Sequence, residues 1–245
     1  MTSVKGRAFG SPLARGLKPR ARTAAFSTPG KPGASAAVKD RVVRIIRILE
    51  KEYPGAHTLL TFETPLQILV ATILSAQCTD ERVNKLTPAL FRKYPSVQAF
   101  ARADKAELEL DIRPTGFFRN KTKSIIGAAR KIEADFGGRV PETMAELLTL
   151  PGVARKTANI VLNAAFNIAE GIAVDVHVKR LSGRLGLSGR TDPEKIERDL
   201  LEIVPRKAWK DFNFLLVNHG RAVCQARKPK CPVCKLSALC PSAVL

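Results

Sequence analysis

Residues 150–158 read LPGVARKTA, a proline–glycine turn followed at once by the start of a helix that continues through Val161 and Leu162. The free backbone N–H groups and the positive dipole end at such a helix start can bind a phosphate group without reading base sequence. An ordinary corner between two helices would contain the same kind of turn. The stretch therefore indicates two joined helices and leaves both interpretations of the turn open.

Outward from this corner, the chain shows helical patterning in both directions. Apolar residues recur at intervals of three and four over residues 42–49, which indicates one stripe of an amphipathic helix. The run after Thr64 and Pro65 is apolar on nearly all sides, so it predicts a central helix. Thr143 with Glu146 fits a capping box. Further helix starts are predicted at Thr79, Ser96, Asp104 and Asp192, and after Gly116. No run alternates with the period of a strand, so the predicted class is all-α with about ten helices.

The chain is strongly basic. Its 245 residues include 41 Lys and Arg against 22 Asp and Glu, a net charge of +19. Such an excess predicts attraction to a polyanion, most commonly nucleic acid, although a merely soluble basic protein would show the same balance. The longest apolar run, residues 66–76, contains Gln67, Thr72 and Ser75, which excludes a membrane span.

Part of this charge lies in residues 1–37, which contain seven Lys and Arg and no acidic residue. Nine of these residues are Gly or Pro, and no apolar periodicity is present. The segment cannot bury enough surface to offset its ordering entropy, so it is predicted to be a disordered basic tail. An organellar transit peptide is the alternative interpretation of this composition.

Four of the five cysteines lie in the last 22 residues with the spacing C-x6-C-x2-C-x5-C. They are Cys224, Cys231, Cys234 and Cys240. Disulfides are the weakest interpretation, because the rest of the chain lacks cysteine pairs and nothing suggests export. Four thiolates suit either a structural zinc ion or a [4Fe–4S] cluster, and the spacing alone does not separate the two.

The first interval of this cysteine pattern is basic. Arg227, Lys228 and Lys230 lie between the first two cysteines. A metal bound there would hold a positively charged loop in a fixed shape, which suits contact with phosphate. The remaining cysteine, Cys78, is expected to be a small buried apolar residue.

Four motifs together resemble the endonuclease III family of DNA glycosylases. Residues 150–158 resemble its helix–hairpin–helix, residues 174–178 (VDVHV) its V-D-T-H segment, and residues 74–80 (LSAQCTD) its L-S-A-Q-x-T-D stretch. The cysteine spacing matches as well. The motifs come in the family's order, and the resemblance extends from about residue 38 to residue 242.

The resemblance implies two helical domains with a DNA-binding cleft between them. The first is a six-helix domain with the hairpin, at about residues 58–168, and the second joins residues 38–57 to residues 169–245. In this family the cysteine spacing holds a structural [4Fe–4S] cluster. The resemblance therefore implies that cluster as the cofactor, with all four C-terminal cysteines as its ligands.

The resemblance also implies a bifunctional DNA glycosylase and AP lyase that removes oxidised pyrimidines from duplex DNA in base excision repair. It would cut the strand 3′ to the abasic site by β-elimination. Lys156 matches the family's catalytic lysine. A lysine attacks a sugar carbon only as the neutral amine, and we expect Arg155 and the helix N-terminus to disfavour the ammonium form.

Asp175 is predicted to act with this lysine. As the cap of a helix that begins at Val176, it would stay ionised and could stabilise the positive charge that develops on the sugar. A capping role alone is the alternative. His177 is assigned a packing or hydrogen-bonding role rather than a catalytic one.

DNA contacts are implied at three further places. Gln77 matches the residue that enters the space left by the flipped base, and residues 116–121 (GFFRNK) match the family's G-L-Y-N-S-K wedge, with Phe117 in place of leucine. In the hairpin, Gly152, Ala154 and Arg155 are predicted contacts. Ala154 stands where the family has glycine, and its methyl group is expected to restrict the backbone and crowd the phosphate.

Two other functions remain open at this point. An adenine-mismatch glycosylase of the same superfamily would be expected to lack the lysine and to carry a further C-terminal domain. A non-catalytic iron–sulfur protein would bind DNA without Lys156 and Asp175 acting on it. The predicted partner is double-stranded DNA with damaged pyrimidines or abasic sites, bound by a monomer that makes no membrane contact. The expected location is the bacterial cytoplasm, at the nucleoid, with organellar targeting as the alternative.

Overall fold

The computed structural model describes residues 35–244, which form one compact unit. The first 34 residues and Leu245 lie outside the described part, so nearly all of the predicted basic tail is not tested. The first helix begins at Ala36, so it includes the last two residues of the segment predicted as a tail. No helix in the described part is long and apolar enough to cross a membrane.

Residues 35–244 contain eleven α-helices, four short 3₁₀ helices and no strand, which confirms the predicted all-α class. The α-helices are α1 (Ala36–Glu52), α2 (Pro65–Ser75), α3 (Asp80–Lys93), α4 (Val97–Ala101), α5 (Lys105–Ile112), α6 (Phe118–Asp135), α7 (Met144–Leu147), α8 (Arg155–Phe166), α9 (Val176–Arg184), α10 (Pro193–Ile203) and α11 (Trp209–Ala222). The 3₁₀ helices are Arg113–Thr115, Arg206–Ala208, Cys231–Val233 and Ser237–Leu239.

The helix starts predicted from capping residues are confirmed. The side chains of these residues accept a hydrogen bond from a backbone N–H in the first turn of the helix: Thr64, Thr79, Ser96, Asp104, Thr143 and Asp192. The capping box at Thr143 is only half formed. Its hydroxyl accepts the Glu146 N–H but donates to the Glu146 carboxylate at 2.7 Å, so that carboxylate does not reach back to the backbone.

The buried apolar side chains form two clusters. The first lies within residues 60–162 and surrounds α2, whose residues 68–74 are all buried and which packs on α3, α6 and α8. The second joins residues 42–49 of α1 to residues 172–236. The chain passes from one cluster to the other between α8 and α9. The division into domains at residues 58 and 168 stays a prediction.

Candidate active site and nucleic-acid interface

Lys156 lies in the first turn of α8, where its side chain is exposed. Among the described residues, its amino group has no hydrogen-bond or ion-pair partner. The helix is preceded by Ala154, which has no side-chain acceptor for the first N–H groups of the helix. The site therefore combines an exposed primary amine with backbone donors that no side chain caps.

The turn before α8 requires glycine at its centre. Gly152 has φ +78°, and a Cβ there would come within 2.5 Å of the Ser124 Cβ on α6. Ala154 has φ −92° and ψ 170°, an extended conformation that alanine adopts freely. Ala154 is therefore not strained in this turn, and the expected crowding of a bound phosphate by its methyl group stays a prediction.

Arg155 is held by a buried carboxylate. Its Nε donates to Glu197 Oε2, and this bond is the main reason why the pKa of Arg155 is raised. Glu197 is 4% exposed. Glu197 therefore offsets much of the charge that Arg155 presents at the start of α8. A contact between Arg155 and DNA stays a prediction.

The same carboxylate connects the two clusters. Glu197 Oε1 on α10 accepts from Asn159 Nδ2 on α8 at 3.0 Å and from the Ile172 backbone N–H at 3.2 Å. Sequence reasoning missed Glu197. The available signal was its place beside Ile196 on the buried face of an amphipathic helix, where an acidic residue needs a partner.

Asp175 caps α9, as predicted. Its Oδ1 accepts from the backbone N–H groups of His177 and Val178, both at 2.8 Å. Among the described residues, its second oxygen has no hydrogen-bond partner. Two backbone donors fix the carboxylate in direction, and one oxygen remains available.

His177 is half-buried and is hydrogen-bonded to an arginine of its own helix. Its Nδ1 is 3.1 Å from an Arg180 NH2 group, which can only donate, so the ring is neutral with its proton on Nε2. Burial lowers the pKa of His177; the charge of Asp175 opposes this shift, and the charges of Arg180, Arg221 and Lys156 add to it. Lys156 and Asp175 are thus both among the charges that affect the pKa of His177.

Two exposed side chains extend from turns with left-handed backbone. Gln77, two residues after α2, has φ +53°, and Phe117, directly before α6, has φ +47°. Phe117 is 62% exposed, whereas Phe118 is half-buried against the first cluster. Of the two adjacent phenylalanines, Phe117 is therefore the one whose ring is free to contact another molecule.

The four C-terminal cysteines line one cavity of about 40 Å³. Burial raises the pKa of the Cys234 and Cys240 thiols, and Arg184 NH1 donates to Cys224 Sγ at 3.2 Å. In residues 35–244, no three His, Cys, Asp or Glu side chains converge closely enough to hold a single metal ion. Four thiols around one cavity suit either a zinc ion or a [4Fe–4S] cluster. Cys78 is half-buried against the first cluster.

The loop between the first two of these cysteines is basic and exposed. Arg227, Lys228 and Lys230 all lie on its surface. Two arginines of α9, the helix that Asp175 caps, bind the first residues of this loop. Arg180 donates to the Cys224 carbonyl, and Arg184 donates to the carbonyls of residues 225 and 226. Sequence reasoning missed these arginines, since nothing local marks a side chain that binds carbonyls about 40 residues away.

Comparison with known proteins places these features in one family. The profile of the HhH-GPD superfamily of base excision DNA repair proteins matches residues 70–206. Endonuclease III of Synechocystis sp. is 60% identical over 208 residues, which cover 85% of this chain and 95% of the relative. Endonuclease III of Bacillus subtilis is 41% identical over 189 residues, covering 77% and 86%.

Solved structures agree with these sequence matches. A non-covalent endonuclease III–DNA complex and a trapped endonuclease III–DNA covalent intermediate each align with a TM-score of 0.80 at 38% identity. Each alignment covers 84% of this chain and 96% of the solved chain. The resemblance found in the motifs is thus confirmed along most of the chain. The protein belongs to the HhH-GPD superfamily of base excision DNA repair proteins and, within it, to the endonuclease III family.

Proposed function

We propose that the protein is a bifunctional DNA glycosylase and AP lyase that removes oxidised pyrimidines from duplex DNA and cuts the strand 3′ to the abasic site. The observation that carries this proposal is the exposed amine of Lys156 at the start of α8, which has no partner in residues 35–244, together with the unpartnered oxygen of the Asp175 carboxylate at the start of α9. Relatives named endonuclease III, solved in complex with DNA, support duplex DNA as the partner.

In the proposed reaction, the neutral amine of Lys156 attacks C1′ of the damaged nucleotide. The bond from C1′ to the base breaks, and the base leaves with the electron pair and takes up a proton. The new ammonium then loses one proton, and the nitrogen lone pair forms a C1′=N bond as the C1′–O4′ bond breaks and O4′ takes up a proton. The product is a ring-opened, protonated Schiff base. Removal of a C2′ proton expels the 3′ phosphate, which cuts the strand on the 3′ side of the lesion.

Asp175 has two roles in this scheme. Its fixed carboxylate stabilises the positive charge that develops on the sugar as the base leaves, because an oriented charge acts without reorganisation at the moment of reaction. Its unpartnered oxygen can also accept a proton from Lys156. Neutral His177, which accepts from Arg180, has no such role.

The remaining predicted residues would bind DNA. The turn from Gly152 to Ala154 and the uncapped N–H groups of α8 would bind a backbone phosphate. Gln77 would fill the space of the flipped nucleotide, and the Phe117 ring would enter the opposite strand. The N–H groups of Arg155 that do not bond to Glu197 would also contact DNA. The basic loop formed by Arg227, Lys228 and Lys230 would contact phosphates further along the duplex.

We also propose that Cys224, Cys231, Cys234 and Cys240 hold a [4Fe–4S] cluster. When bound, the cluster supplies no reaction chemistry and fixes the shape of the basic loop. Purified protein should therefore contain about four irons per chain and be brown. Cys231→Ser should weaken duplex binding by loss of the ordered loop. One zinc and no iron, in samples prepared with and without air, would contradict this assignment.

A duplex with a single oxidised pyrimidine tests the proposed activity. The protein should release the base and leave a 3′ cut on a denaturing gel without alkali treatment. Base release that yields a cut only after alkali would indicate a monofunctional enzyme, and release of adenine from a mismatch would support the adenine-mismatch alternative. Binding without either product would support a non-catalytic protein. We place this reaction on chromosomal DNA in the bacterial nucleoid and propose that the protein acts as a monomer.

A further inference from the structure

Lys121 is a buried lysine in the first turn of α6. Its side chain is 5% exposed, and it is the one lysine of residues 35–244 that is fully buried. Burial lowers its pKa. In the described part of the chain, no carboxylate pairs with it. A lysine in this position must donate its hydrogen bonds to uncharged groups.

The acceptors are two backbone carbonyls from different parts of the chain. Lys121 Nζ is 2.8 Å from the Leu74 carbonyl and 2.8 Å from the Thr115 carbonyl. Leu74 is in the last turn of α2, where helix carbonyls have no helical partner. Thr115 ends the 3₁₀ helix that precedes α6. One ammonium group therefore joins the ends of two helices.

Each of these helix ends leads into a left-handed turn with an exposed side chain. Gln77 follows Leu74 by three residues, and Phe117 follows Thr115 by two. In residues 35–244, three residues other than glycine have a positive φ, and these are two of them. Non-glycine residues keep this conformation only where their surroundings fix it.

We propose that Lys121 is a positioning residue that holds the Gln77 turn and the Phe117 turn in one arrangement, so that both side chains enter the duplex together. This inference rests on the proposed function, in which Gln77 and Phe117 occupy the space around a flipped nucleotide. The benefit is entropic, because two turns that are already fixed lose little freedom when DNA binds. Opening a paired lesion needs both side chains, whereas a lesion that is already unpaired needs neither.

Lys121→Met tests this role, because methionine matches the length of the side chain but donates no hydrogen bond. The matched control is Lys131→Met, on the same helix, where the lysine pairs with Asp135 near the surface. Single-turnover excision is measured for one oxidised pyrimidine in a fully paired duplex and in an unpaired bubble. Lys121→Met should slow excision from the duplex by about tenfold or more and change the bubble rate by less than about threefold. Lys131→Met should change neither rate.

Hydrogen exchange in the free protein gives a second readout that does not depend on activity. In Lys121→Met, amides of residues 75–79 and 115–118 should both exchange faster, while those of α10 keep the wild-type rate. Equal loss of rate on duplex and bubble, or faster exchange in only one turn or in neither, overturns the proposal. If wild-type protein excises no base at all, the proposed function fails, and exchange still decides whether Lys121 holds both turns.

If Lys121→Met does not fold, the two hydrogen bonds of Lys121 can be tested in the wild-type protein. With ¹⁵N in the lysine side chains, one ammonium signal should persist at pH 7, where exposed ammonium groups exchange too fast to be observed. The protons of this ammonium group should lie close to protons of the residues around Leu74 and Thr115. Absence of any such signal overturns the two hydrogen bonds on which the proposal depends.

Discussion

Glu197→Ala should destabilise the protein by about 3 kcal/mol or more. The carboxylate is almost completely buried and accepts from Arg155, Asn159 and the Ile172 N–H. Removing it leaves the two buried donors without partners, at about 1–3 kcal/mol each. The Arg155 side chain is 36% exposed, so it can turn towards water in the variant. Losing the Arg155–Glu197 ion pair therefore adds less to the destabilisation. The largest damage should be at the start of α8, next to Lys156.

Urea unfolding followed by circular dichroism measures this loss. Glu197→Gln should lie between wild type and Glu197→Ala, because the amide oxygen still accepts a hydrogen bond while the charge that pairs with Arg155 is lost. Glu202→Ala is the matched control, since Glu202 is exposed on the same helix, and it should change stability by less than about 0.5 kcal/mol. A loss below about 1 kcal/mol for Glu197→Ala would refute the account of this network.

Four further predictions concern the active site and the tail. Asp175→Asn should lower the single-turnover excision rate by about a hundredfold or more, while the cap and the melting temperature are largely kept. A loss of thermal stability as large as the loss of rate would support a capping role alone. Gly152→Ala should destabilise the protein and weaken duplex binding, because the backbone of residue 152 has a positive φ and the added methyl group would overlap Ser124. Wild-type stability of this variant in a melting experiment would contradict this. The pKa of His177 is lowered in the folded state, so the unfolded chain takes up the proton first as the pH falls. The free energy of unfolding should therefore decrease from pH 7 to pH 5, and it should decrease less steeply in His177→Asn. If urea unfolding gives the same pH dependence for both proteins, His177 makes no such contribution. Removing residues 1–34, with their seven Lys and Arg, should lower affinity for any duplex and reduce the salt dependence of binding, whereas an unchanged salt slope would show that these residues do not contact DNA.

Local patterns were sufficient to predict the helices and to propose the chemically active residues. A cap such as Thr64 and its acceptor bond lie within one turn, so the sequence predicts both. Asp175 was predicted as a cap for the same reason. Lys156 was found because the hairpin motif around it is contiguous.

Long-range contacts account for what the sequence did not predict. Glu197 lies 42 residues from Arg155 in the chain, so no local pattern shows that this arginine is paired with a carboxylate. Lys121 bonds to a carbonyl 47 residues away. The signal was present in weak form, since Lys121 lies four residues before buried Ile125 on the apolar face of α6. A pattern shows that such a residue is buried, but not which group it binds.

Borohydride trapping on duplex DNA with an abasic site tests the role of Lys156 most directly. Reduction of a Schiff base joins protein and DNA covalently, and the adduct is seen as a shifted band on a denaturing gel. Wild type and Lys131→Met should give the adduct. Lys156→Ala should give none while it still folds and binds the duplex, because the Lys156 side chain is exposed and has no partner in the described structure. An adduct at wild-type yield with Lys156→Ala would contradict the proposed nucleophile.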